Sequence, residues 1–127
     1  MQLTLGQVLD RLHSVHQDMA TAQRALRLAR DKEVEAAEAH RMAIARAVLS
    51  DDCPRPKRGE NGVTVADRDA WVDVQTADAR AGAAGAEAYR KAAEDALRVA
   101  RDQASVVQSL SALMRAEIQL TQTPLTP

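Results

Sequence analysis

Phenylalanine is absent from this sequence of 127 residues, and tryptophan and tyrosine occur once each, as Trp71 and Tyr89. Without large rings a thick globular core is hard to fill, because aromatic side chains carry the largest buried area per residue. A single cysteine, Cys53, excludes an intramolecular disulfide and a C-x-x-C metal pair, and it fits a reducing compartment. Charge of one sign is also lacking: the net charge is −1, which gives no global attraction to nucleic acid or to a membrane surface. No apolar run approaches the ~20 residues that cross a bilayer, and no basic segment followed by an apolar stretch stands at the N-terminus. The expectation is a cytoplasmic protein without membrane contact. Proline is missing from the whole stretch between Thr64 and Thr123, so nothing in it forbids one uninterrupted helix.

What is present is alanine and charge. Apolar residues make up 46% of the chain and charged residues 28%. Much of the apolar share is alanine, the strongest helix former and a small contributor to burial. Such a composition, with helical periodicity, points to a coiled coil or thin bundle. Thr64 is a good N-cap with Asp67 three residues on, and Asp67, Asp69 and Asp73 place negative charge where the helix dipole is positive. Glu87 with Lys91 and Glu94 with Arg98 are i, i+4 pairs in the favourable order. One helix over 64–121 would extend about 85 Å at ~1.5 Å per residue, and its apolar stripe needs another long helix.

In chain order, a first helix spans 4–50. Its apolar residues Leu5, Val8, Leu12, Val15, Met19, Ala22, Leu26 and Ala29 step three and four apart, as a heptad seam requires. Beyond Ala29 the strict heptad puts Glu33 and His40 in the seam; a local eleven-residue spacing through Ala37, Ile44 and Val48 is the alternative. Residues 51–63 hold two prolines and two glycines and predict an exposed loop carrying Arg55, Lys57 and Arg58. On the second helix the stripe reads Trp71, Val74, Ala81, Gly85, Ala88, Ala92, Ala96, Val99, Val106, Leu110, Leu113 and Leu120. Gly82 and Gly85 suggest a close helix contact. Residues 122–127, with Pro124 and Pro127, read as a disordered tail. Folding the helices antiparallel with Leu26 opposite Tyr89 sets Val15 opposite Ala100 and Glu33 opposite Gly82. It also sets Ile44 and Val48 against Trp71 and Ala70, and leaves Ile118 and Leu120 overhanging the N-terminus of the first helix.

Candidate sites are sparse. His13 and His16, three apart, supply two metal ligands at most and no third by motif. Glu33, His40 and Asp78 come near one another in that register, but the Glu-x-x-His signature of a di-iron bundle is missing, so register-setting polar positions explain them better. Cys53 lacks a neighbouring histidine and reads as a spectator thiol. Arg55, Lys57 and Arg58 form a compact basic tip able to contact phosphate, although no aromatic is interleaved to stack on bases. No nucleophile, base and pocket can be assembled, so neither an enzyme nor a cofactor site is expected. The tripeptide Trp71-Val72-Asp73 departs from the Trp-x-Gly turn of small secreted helical hairpins, which sets that family aside. In texture the chain resembles small coiled-coil proteins of bacteria and their phages.

The last third of helix two carries Val107, Leu110, Met114 and Ile118 beside Val106, Leu113 and Leu120, a face wider than one partner helix covers. The expectation is therefore an all-α antiparallel hairpin that dimerises into a four-helix bundle through Leu5, Val8 and Leu12 with Val107, Leu110, Met114 and Ile118. The function expected is a non-enzymatic protein–protein interaction or scaffolding module. The competing reading is an accessory factor that meets nucleic acid or a nucleoprotein complex through the basic tip.

Overall fold

The computed structural model describes residues 3–59 and 62–122. The chain is all-α, with no strand among the described residues, and its two long helices pack antiparallel. Helix α1 runs Leu5–Leu49, α2 runs Val65–Gln75 and α3 runs Ala77–Gln122. No described helix is long and apolar enough to cross a membrane. The expected tail, apart from Gln122 at the end of α3, lies outside the described residues.

Both starts are built by reciprocal caps. The Thr4 hydroxyl accepts from Gln7 N at 3.2 Å while Gln7 Oε1 accepts from Thr4 N at 3.0 Å. At α2, Thr64 Oγ1 accepts from Asp67 N at 3.1 Å and Asp67 Oδ2 accepts from Thr64 N at 2.9 Å. Each pairing satisfies two backbone donors that a helix start otherwise leaves to water.

The expected single helix over 64–121 is interrupted at one residue. Thr76 is buried, with φ −106° and ψ 13°. Its hydroxyl donates to Val72 O at 2.8 Å, and its amide reaches the same carbonyl at 2.9 Å. A threonine that bonds back to the i−4 carbonyl bends a helix, which sequence composition alone does not reveal. Arg80 straddles the bend, donating to Asp73 O at 3.3 Å and lying 3.6 Å from the Asp73 carboxylate.

The chain divides into two units, 1–27 with 92–127, and 28–91. In the first, Val15 packs with Ala104 and Val107, with Leu12 and Met19 beside them. Val15 thus sits on Ala104, not on the expected Ala100. At the open end Leu3, Leu5 and Val8 line one groove of about 500 Å³ with Leu110, Leu113, Met114, Glu117, Ile118 and Thr121. The anticipated overhang is therefore corrected: the N-terminal residues of α1 reach the last turns of α3.

In the second unit Glu33 meets Arg90, Arg90 Nε donating to Glu33 Oε2 at 2.7 Å. The expected partner was Gly82, so the register differs by roughly two turns. Ala47, Cys53 and Val72 form a small core with Trp71 against it. Cys53 is buried within a loop expected to be exposed, while Ile44 and Val48, expected to plug this end, are exposed. Gly59 has φ +140°, which favours glycine. A Cβ on Gly62 would collide with the Lys57 carbonyl, and the turn is held by Lys57 N donating to Val63 O at 3.0 Å.

On α1 the inward residues are Val8, Leu12, Val15, Met19, Ala22, Leu26, Ala29, Glu33, Ala36, His40, Ala43 and Ala47. The strict heptad persists and the eleven-residue alternative does not occur, since Ala37 is exposed. On α3 the seam is Ala93, Leu97, Ala100, Ala104, Val107, Ser111, Met114 and Ile118. The expected stripe lay about one residue, or ~100°, around the helix from it.

Candidate interaction surface

One apolar line on α3 is left outside the seam. Val99, Val106, Leu113 and Leu120 follow one another at intervals of seven, and 53%, 61%, 68% and 78% of their surfaces are exposed. The first three each directly precede a seam residue: Val99 precedes Ala100, Val106 precedes Val107, and Leu113 precedes Met114. Leu110 and the polar Gln103 and Glu117 complete this outer line. α3 therefore carries two heptad seams about 100° apart, the arrangement a helix needs to serve two neighbours. The first half of α1 does not share it: the residues preceding its seam positions from Val8 to Ala22 are Gln7, Arg11, Ser14, Asp18 and Thr21. Farther on, Leu28 and Met42 are isolated apolar residues among Lys32, Glu35 and Arg46.

The residues expected to form a partner interface fall in two groups. Val8 and Val107 are buried within the chain, and Leu12, Leu110, Met114 and Ile118 are half-buried. Leu5 is 49% exposed. Val8, Leu12, Val107, Met114 and Ile118 thus belong to the contact between α1 and α3 in the first unit. Beside the outer line runs a groove lined by Arg11, Ser14, Asp102, Gln103 and Val106.

Arg55, Lys57 and Arg58 are all exposed, Lys57 and Arg58 in the turn closed by the Lys57–Val63 hydrogen bond and Arg55 just before it. His13 and His16 are exposed. Glu33 and His40 are half-buried seam residues, whereas Asp78 is exposed. No group of three metal-ligating side chains occurs among the described residues, so Glu33, His40 and Asp78 do not converge. Arg90, the ion-pair partner of Glu33, was not singled out in the sequence; carrying the α1 heptad through Glu33 and correcting the register would have found it. Gly82 and Gly85 are exposed with open space where a Cβ would stand, so neither marks a close contact within the chain.

At the start of α2 the Asp67 carboxyl is engaged by Thr64. Its two hydrogen bonds to Thr64, backbone first and hydroxyl second, hold its carboxyl below the ordinary value. This is helix capping, and it supplies no chemistry to a ligand. Comparison of the chain with protein-family models, with curated protein sequences and with solved structures yields no match in any of the three.

Proposed function

We propose that the protein is a non-enzymatic, cytoplasmic interaction module that self-associates and presents helix faces to protein partners. The observation carrying this reading is the exposed outer line of α3, Val99, Val106, Leu113 and Leu120, on a helix whose other seam is already filled by α1. Large apolar side chains held in water forfeit roughly 1.5–3 kcal/mol each relative to burial. A continuous line of them favours laying a second helix against α3, as in helix-on-helix recognition. The experiment is the mass of the purified protein in solution by light scattering: a species heavier than one 13.8 kDa chain supports the reading, and a single-chain mass at tens of micromolar contradicts its self-association.

A second reading keeps one specific support. Arg55, Lys57 and Arg58 stand exposed in the loop between α1 and α2, where they can neutralise phosphates. If they do, replacing all three with alanine weakens binding to generic DNA or RNA and flattens the salt slope by up to ~3 units. No salt-dependent gel shift with the intact protein removes this reading.

A further inference from the structure

We infer that the outer line of α3 is covered by α3 of a second copy of this chain, running antiparallel about a two-fold axis near Leu110. The inference deepens the self-association just proposed and rests on it. Symmetry favours a second copy over an unrelated partner, charge selects the sense of the pairing, and exposed area leaves room for it.

The line is its own complement on reversal. Gln103 and Glu117 lie the same seven residues either side of Leu110. Val106 and Leu113 flank it at four and three residues, Val99 and Leu120 at eleven and ten. Turned end for end, apolar residues meet apolar ones, and the two polar interruptions meet each other. A contact in which residue i touches j while j touches i is what a two-fold interface demands. A partner of another sequence would not require this symmetry.

Charge selects the antiparallel sense. In a parallel pair Glu117 would face Glu117 of the second copy across an apolar seam, where like charges repel. The antiparallel pair brings it instead to Gln103, whose side-chain amide can donate to the carboxylate. Arg11 and Asp102 line the same groove as Gln103, one charge of each sign, so the amide of Gln103 is the group that favours this pairing.

Area supplies the third argument. A folded monomer of this mass exposes on the order of 6,600 Å², whereas this chain exposes 9956 Å². The difference is larger than the roughly 1,000–2,500 Å² per chain covered in an obligate dimer.

The test uses single-cysteine substitutions in the full-length chain, with the unsubstituted protein and its buried Cys53 as control. Under mild oxidation with diamide, Leu110→Cys alone should form a disulfide-linked dimer, because that side chain lies at the axis. Val99→Cys and Leu120→Cys should each link weakly alone, and several-fold more when the two proteins are mixed. Val106→Glu with Leu113→Glu, both on exposed positions, should halve the solution mass while the circular dichroism of the chain persists. A dimeric mass with no cross-link at Leu110, or with equal linking in mixed and unmixed samples, overturns this interface and leaves self-association standing. A single-chain mass for the unsubstituted protein overturns both.

Discussion

At the scale of single residues, the glycines of α3 give the sharpest reversal. Gly82 and Gly85 invite the idea of a tight crossing, in which a larger side chain overpacks. Both stand exposed with open space at the Cβ position. Gly85→Ala should therefore stabilise the protein by about 0.5–1 kcal/mol through helix propensity, and thermal melting should show a rise in Tm. A fall would place another helix against that face.

The caps are equally specific. Thr64→Ala should cost about 1 kcal/mol by removing the acceptor for Asp67 N. Because the carboxyl of Asp67 is held below its ordinary value, the folded state binds its proton less readily than the unfolded chain. Its contribution is present above the ordinary carboxyl range and lost as pH falls through the lowered value. Titration of Asp67 by NMR should show a midpoint below that of an unstructured aspartate, and Thr64→Ala should raise it. Cys53 adds a third residue-level outcome. Buried against Ala47 and Val72, it should react with a disulfide reagent many times more slowly in the native protein than in denaturant.

Helices α1 and α3 differed in how legible they were, and the reason lies in their faces. From Val8 to Leu26 α1 carries its bulk on one line apart from Leu9, with Arg11, Ser14 and Asp18 on the line beside it. One heptad phase is therefore available, and it is legible together with the helix start near Thr4. α3 offers two phases one residue apart. The bulkier outer one, Val99, Val106, Leu113 and Leu120, draws the eye, but the chain buries Ala93, Ala100 and Ala104 with Leu97 and Val107. Small residues let two helices approach closely, so bulk alone does not identify the seam of an alanine-rich hairpin. The register inherited that ambiguity. So did the candidate site, whose residues Val8, Leu12, Val107, Met114 and Ile118 belong to the contact within the chain.

The ion pair between Glu33 and Arg90 tests the register at the element scale. Its side chains are 33% and 22% exposed, far less than the Lys91–Glu87 pair on the helix surface at 62% and 52%. A double-mutant cycle should give a coupling on the order of 1 kcal/mol for Glu33 with Arg90 and a smaller one for Glu87 with Lys91. Exchanging the two residues, Glu33→Arg with Arg90→Glu, should recover most of the stability lost in either single variant, measured by urea unfolding. No recovery would mean that the two positions do not face each other.

For the molecule as a whole, the sparse core governs. The seam is rich in alanine, at Ala29, Ala47, Ala93, Ala100 and Ala104, and alanine contributes little apolar area. A chain so built gains by sharing its remaining apolar surface, which lies mainly on the outer line of α3. The inner and outer lines make opposite predictions on substitution. Met114→Glu with Ile118→Glu strikes the groove shared with Leu5 and Val8, so it should lower the stability of the first unit as well as any association. Val106→Glu with Leu113→Glu strikes side chains that are 61% and 68% exposed, although Leu113 also lines that groove, and should affect association far more than stability. The most direct measurement is light scattering on the unsubstituted protein and on Val106→Glu with Leu113→Glu, at tens of micromolar. Twice the 13.8 kDa chain mass falling to one chain with helicity retained is the predicted result; the same mass for both proteins would contradict the account.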